Sequence, residues 1–326
     1  MGNILNKKKI KRIFRKSKKI YLMAHTNLDL DALGSCIGLY NILNRKKECF
    51  IIIDDKEHEL GVKKVLKELD GCLNIIESKQ IDKEKIGKKN LLVILDTNNQ
   101  SMVQNSKIID FFDKKLVIDH HEVSKKTIKD AELFIKTDAS STCEIITDLI
   151  EYYDIDTDSY YATLLLAGIV LDTNNFTLKT SPNTYYSAYY LSCLGASAKK
   201  VQYLLKQDIN EYAESQKLLT NIEMYNSSIA ISKGNAKTIY RKEELARTAS
   251  TLLYFNDVES SFVIGKVDKD KVGVSARSFG NKNIEKIIEK LGGGGDDYHC
   301  ATVINKKTIN EVEKMIKDEI KKQEGE

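Results

Sequence analysis

Six side chains with nitrogen or oxygen donors, His25, Asp29, Asp31, Asp96, His120 and Asp172, stand at or beside the ends of apolar runs in a chain of 326 residues. The clearest of these runs is Leu116-Val117-Ile118-Asp119-His120-His121. It reads as a buried strand that presents a carboxylate and two imidazoles at its C-terminal edge. His25, Asp29 and Asp31 share a short loop between a predicted strand and its helix, where Asp29 and Asp31 can diverge towards two metal ions. Asp96, at another strand end, can bridge those ions with its two oxygens, and His120 and Asp172 complete the second position. Carboxylates mixed with imidazoles, without thiolates, suit Mn2+ or Mg2+ rather than structural zinc. Two such ions about 3.5–4 Å apart activate water for in-line attack on a phosphodiester and neutralise the charge that develops on its oxygens.

Each residue also has an ordinary structural reading. An Asp ahead of a helix is usually an N-cap, a single His at a strand end is commonly hydrogen-bonded structure, and Asp-Thr-Asn at 96–98 and at 172–174 are turn sequences. Their shared placement favours chemistry, because an open α/β sheet gathers its ligands in the crevice outside the carboxyl ends of its strands.

The elements needed to position these groups are legible in the first half. Apolar runs at 20–24, 50–53, 91–95 and 116–118 read as strands, and helical spacing over 31–43 and 61–69 reads as helices between them. Strands joined through helices imply right-handed crossovers and a mostly parallel, doubly wound sheet, an α/β fold class. From Ser141 the pattern turns helical. Ser141-Thr142-Cys143-Glu144 reads as a capping box, Asp158 or Ser159 caps a helix running to Asp172, and Pro182 opens another. We place a catalytic domain at 1–198, a charged helical connector acting as a semi-rigid joint at 199–224, and a smaller α/β domain at 225–326. In that last domain strands are expected at 228–231, 261–267 and 272–276, with helices at 242–253, 283–291 and 309–321.

The hydrophobic fraction of 42% and charged fraction of 30% are those of a globular protein. No apolar run approaches the roughly 20 residues of a membrane span. The net charge of +4 is too small to argue for long nucleic acid. The cysteines at 36, 49, 72, 143, 193 and 300 stand singly, which reads as reduced thiols in a cytoplasmic protein. The basic stretch from Lys7 to Lys16 reads as a solvated first helix covering the sheet edge, with an amphipathic helix on anionic lipid as the alternative.

Four blocks together resemble a known family. His25-Thr-Asn-Leu-Asp-Leu-Asp-Ala-Leu-Gly-Ser35, Asp96, Asp119-His120-His121 and Ala167-Gly-Ile-Val-Leu-Asp172-Thr-Asn-Asn-Phe176 resemble, in order and spacing, the motifs of the DHH phosphoesterases. Val274-Ser-Ala-Arg277-Ser and Leu291-Gly-Gly-Gly-Gly295 resemble the DHHA1-type substrate domain that accompanies them. The Asn27 to Gly34 block, Ala139-Ser-Ser-Thr-Cys-Glu144 and the four glycines are most similar to the GdpP-type subgroup. That resemblance implies a manganese-dependent phosphodiesterase opening cyclic di-AMP to pApA. Typical subgroup members carry membrane spans, a PAS domain and a degenerate GGDEF domain ahead of the catalytic half. None is present here, so a freestanding catalytic module is expected.

The resemblance also implies roles. His25 and Asp29 would bind one ion, Asp31, His120 and Asp172 the other, and Asp96 both. His121 would donate to the leaving oxygen, with Asp119 orienting an imidazole. Arg277, Ser275, His299 and the amides of Gly292, Gly293, Gly294 and Gly295 would hold substrate phosphate and nucleotide, in a cleft between the domains. One departure stands out: Asp296, followed by Asp297, occupies the position where the family has a His after its glycines. The implied partners are cyclic or short linear adenine dinucleotides and a second copy of the chain in a homodimer. A linear-dinucleotide oligoribonuclease or pAp phosphatase is the alternative. A RecJ-like nuclease, a family II pyrophosphatase and a non-catalytic nucleotide sensor fit less well, for want of a nucleic-acid channel, a Ser-Arg-Lys clamp and a missing ligand, respectively.

Overall fold

The computed structural model describes residues 6–44, 46–56, 58–206, 208–280, 283–295 and 298–324. It divides into two compact units, 1–206 and 207–326, within the segment expected to connect the domains.

In chain order the first unit contains α1 (Lys7–Lys16), β1 (Lys19–Met23), α2 (Leu30–Asn44), β2 (Glu48–Ile52), α3 (Leu60–Glu68), β3 (Ile75–Ile76), β4 (Asn90–Leu95), β5 (Lys115–Asp119), β6 (Glu132–Ile135), α4 (Thr142–Tyr153), α5 (Ser159–Asp172), α6 (Pro182–Cys193) and α7 (Ala198–Leu204). The strands form one sheet in the order β3-β2-β1-β4-β5-β6, and every neighbouring pair is parallel. Strand order reverses between β1 and β4, and at that switch point their carboxyl ends diverge into a crevice. Every residue of β4, Asn-Leu-Leu-Val-Ile-Leu, is buried, as a strand covered on both faces requires.

The two faces are covered differently. One packs α2, α4 and α5 into a core that includes Leu22, Leu33, Ile37, Ile146 and Leu165. On the other, Met23, Ile94 and Val117 meet Ile81, Ile108, Ile109 and Phe112, which come from turns and from the short 3-10 stretch Ser106–Phe111. The expected alternation of strands and helices therefore stops after β3, which only 3-10 turns join to β4. The chain between β4 and β5 is taken up by the loop around Asp96 and by that 3-10 segment, and the helical mass returns after β6. Ile10 and Phe14 of α1 are buried in the first core, so its apolar face packs on the protein. Lys9 of α1 pairs with Glu132 of the edge strand β6 at 3.3 Å. Among the described residues no helix is long and apolar enough to cross a membrane.

The second unit contains α8 (Ile209–Leu219), β7 (Ile222–Met224), β8 (Ile229–Lys233), α9 (Lys242–Leu252), β9 (Ser260–Asp268), β10 (Lys271–Ser278), α10 (Ile284–Lys290), β11 (Gly294–Gly295), β12 (His299–Asn305) and α11 (Ile309–Glu324). Its sheet runs β11-β12-β10-β9-β8-β7, with only β8 and β9 parallel. The connector is not the single helix expected. Val201 and Leu204 of α7 are buried in the core of the first unit. Leu218 of α8 is buried with Leu245 and Ala249 of α9 in the second. The two apolar faces belong to different cores, and the helix breaks between them.

Candidate metal centre

The loop after β1 carries the first three donors. Gln104 braces it, its amide donating to the His25 carbonyl and to Asp55 Oδ2, each at 2.7 Å, while Asp55 Oδ2 accepts the Asn27 N–H at 2.7 Å. His25 Nδ1 lies 2.7 Å from the Thr26 carbonyl, to which only an N–H can donate, so Nε2 is the nitrogen left facing the carboxylates. That nitrogen is 3.6 Å from Asp29 Oδ2 and 3.3 Å from Asp96 Oδ2. The other Asp29 oxygen accepts the N–H groups of Asp31 and Ala32, both at 2.9 Å, so Asp29 caps the start of α2 and faces the crevice at once.

Asp31 is fully buried in the first turn of α2, and Asp172 is the last residue of α5. α2 and α5 cross where Gly168 leaves no room: a Cβ there would lie 2.9 Å from Asp31 Oδ1 and 2.5 Å from Cys143 Sγ. His120 follows β5, and its Nε2 is 3.5 Å from Asp96 Oδ1 and 3.3 Å from Asp172 Oδ2. Asp96 thus turns one oxygen to each imidazole from a left-handed backbone, φ 58°. Three donor groups result among the described residues: His25 with Asp29 and Asp96, Asp31 with His120 and Asp172, and Asp96 with Asp119, His120 and His121. Within each group the donor atoms lie within 4.8 Å of one another.

Beside them, Asp119 is buried and receives the backbone N–H groups of His120 and His121 on one oxygen, at 2.8 and 3.2 Å. The same oxygen is 2.8 Å from His121 Nδ1, and the other accepts Asn98 Nδ2 at 2.8 Å. The His121 ring is half exposed with Nδ1 held, so Nε2 is its open position. Burial works against charge on this ring, but the Asp119 carboxylate prevails and pushes its pKa up to about 9.

The electrostatics call for positive charge. Burial, followed by the neighbouring carboxylates, raises Asp31 and Asp172 well above the usual carboxylate range. Burial alone would raise Asp96 too, but His120 and His25 hold it well below that range. His25 is in turn raised well above its ordinary value, against its burial, by Asp29 and Asp96. Four carboxylates thus share two imidazoles. Among the described residues, neither buried His120 ring nitrogen makes a well-formed hydrogen bond, although Nε2 lies against two carboxylates. An unsatisfied buried imidazole among excess carboxylates fits divalent cations of the Mn2+ or Mg2+ type.

In the second unit, Arg277 of β10 and His299 of β12 stand directly opposite one another. Arg277 also donates to Ser250 Oγ at 3.3 Å and to the Ala276 carbonyl at 2.8 Å. Ser275 does not meet the expectation of a substrate contact. It is 4% exposed in a central strand. The N–H groups of Gly292 and Gly293 bond to Glu289 and Ile288, closing the end of α10, so these amides are not open to a phosphate. Gly294 and Gly295 are exposed and pair with β12. At Gly295, φ 154°, a Cβ would sit 2.0 Å from the His299 carbonyl, which is why no other residue fits. Asp296 and Asp297 lie outside the described residues.

Family models match the chain twice, as a DHH family N-terminal domain over residues 19–169 and a DHHA1 domain over 226–322. The chain belongs to the DHH–DHHA1 family. Among relatives of this DHH protein, cyclic-di-AMP phosphodiesterase PdeA of Listeria monocytogenes is 35% identical over 94% of the chain, which spans 48% of PdeA. The bifunctional oligoribonuclease and PAP phosphatase NrnA of Mycoplasma genitalium is 25% identical, over 90% of this chain and 91% of its own. A crystal structure of an exopolyphosphatase-related protein from Bacteroides fragilis superposes with a TM-score of 0.82 at 19% identity, covering 98% of this chain and 97% of that one. It shares the fold of the DHH protein described here.

The sequence reading named all six donors of the centre and the Asp119–His121 pair. It missed Gln104, Asn98 and Thr142, whose roles are hydrogen bonds to loops and carboxylates distant in sequence. The Asx-turn composition of 96–99 is the one signal that pointed near Asn98.

Proposed function

We propose that the chain is a phosphodiesterase that hydrolyses cyclic di-AMP to pApA, using two Mn2+ ions held by His25, Asp29, Asp31, Asp96, His120 and Asp172. The observation that carries this reading is Asp96, whose two buried oxygens face imidazoles of two separate donor groups, the geometry a bridging ligand requires. When bound, the ions would activate water and neutralise charge on the phosphoryl oxygens. The chain's own groups do the rest. Asp119 fixes His121 with Nε2 outward, where it donates a proton to the departing ribose oxygen. Arg277 and His299 in the DHHA1 unit bind the second phosphate or the nucleoside, with Gly294 and Gly295 alongside. The 35% identity to PdeA supports the cyclic substrate. The likeness to NrnA over nearly its whole length makes linear pApA or pAp the second reading.

Assays of purified protein with Mn2+ on cyclic di-AMP, pApA and pAp, run side by side, decide between them. Turnover confined to the linear substrates would overturn the cyclic assignment. Asp96→Ala is expected to reduce turnover at least 1000-fold with the fold retained by circular dichroism, because its loss disturbs both ion positions. Near-normal turnover in that variant, or in metal-stripped wild type, counts against the two-ion centre.

A further inference from the structure

The start of α4 touches both halves of the centre through one residue. Thr142 and Cys143 contribute the first two amides of the helix, which have no carbonyl partner within it. Thr142 N donates to Asp31 Oδ2 and Cys143 N to Asp31 Oδ1, each at 2.8 Å. The Thr142 hydroxyl turns the opposite way and donates to Asp96 Oδ1 at 2.9 Å, the oxygen that faces His120. Ser141 caps the helix by accepting Glu144 N at 3.1 Å, and its own role ends there. Glu144 does not reach back to Ser141 as a closed capping box would. Its carboxylate instead takes the Ser140 N–H, the Ser140 hydroxyl and the Thr184 hydroxyl at 3.1, 2.5 and 2.8 Å, tying α4 to the start of α6.

We infer that Thr142 is a positioning residue, setting the distance and orientation between Asp31 and Asp96 on which both proposed ion positions depend. It is fully buried, so no solvent molecule replaces its hydroxyl. Asp96 also holds a left-handed backbone conformation. Without the Thr142 donor, its Oδ1 keeps only the His120 contact at 3.5 Å, and the carboxylate is held less firmly in the orientation that faces both imidazoles. The amide bonds to Asp31 do not involve the side chain, so a change of side chain at 142 separates the two effects.

This inference rests on the two-ion reading, and Mn2+ titration by calorimetry, paired with electron paramagnetic resonance of coupled Mn2+ pairs, tests the two apart. Wild type is expected to take up two ions per chain and to show the coupled signal. Thr142→Val keeps shape and backbone donors but lacks the hydroxyl. It is expected to bind one of the two ions 10- to 100-fold more weakly, to lose the coupled signal, and to lower kcat with KM for the dinucleotide within about twofold. Thr142→Ser, which restores the hydroxyl, should return both readouts to near wild type. Two ions bound by the valine variant with unchanged affinity and coupling overturn the positioning role and leave the two-ion centre standing. A wild type that binds no pair overturns both. If the valine chain does not fold, Thr142→Ala against Thr142→Ser carries the same comparison, and alanine matching serine refutes the inference.

Discussion

Asp119 illustrates how one carboxylate at a strand end can organise its neighbours through hydrogen bonds. Its first oxygen gathers His120 N, His121 N and the His121 ring, while its second is held by Asn98. Asp119→Asn would set an amide NH2 against that of Asn98 and remove the charge that fixes the His121 ring. We expect a 10- to 100-fold fall in kcat and a stability loss of about 1–3 kcal/mol, read by steady-state kinetics and chemical denaturation. An unchanged kcat would show that His121 needs no orienting carboxylate. The residues that face the crevice were readable because strand ends announce themselves. Those that steady them were not. Thr142 follows a cap serine and looks like part of the cap, and Gln104 sits in a loop with no periodicity at all. Ser275 failed for another reason. It was named from the resemblance of its motif alone; α9 covers its side of β10, and Val263 beside it is itself fully buried among residues of α9.

At the scale of elements, α2 and α5 bring Asp31 and Asp172 together only because Gly168 lets them approach. A methyl group there must displace Cys143 Sγ or the Asp31 backbone. Gly168→Ala is expected to destabilise the chain by about 1–3 kcal/mol through overpacking and to weaken Mn2+ binding, measured by thermal melting and metal titration. Cys143→Ala in the same chain should recover part of the melting temperature; no recovery would place the strain elsewhere. The helices of this layer were legible from their apolar spacing and caps. The covering of the opposite face was not, since turns and a 3-10 segment leave no period to read. β12 was missed because its exposed and buried residues alternate over a short stretch beyond a glycine run that had been assigned to ligand binding.

On the scale of the whole molecule, each unit has buried clusters of its own among the described residues. All six proposed ligands lie in the first unit, whereas Arg277 and His299 lie in the second. A fragment of residues 1–206 is expected to fold and to bind Mn2+ within a few-fold of the full chain, with KM for cyclic di-AMP raised more than 10-fold. Equal KM values for fragment and full chain would remove the DHHA1 unit from substrate binding. The charge and the absence of breakers at 199–224 suggested a connector there, and the division at 206 and 207 falls in that stretch. That the stretch divides into two helices was hidden, because each packs its apolar face on a different core.

The parallel order of the first sheet also governs when the centre comes into being. Its ligands run from position 25 to position 172, and none of the strands that carry them is joined by a hairpin, so no short segment holds a preformed site. The crevice exists only after β1, β4, β5 and α5 have all docked, late in a slow, non-local search. Without a cation, burial and the surrounding carboxylates favour the protonated forms of Asp31 and Asp172. If the centre takes up divalent cations as proposed, an ion that binds only the docked structure would add to its stability by mass action and shorten the time each copy spends open to unfolding and proteolysis.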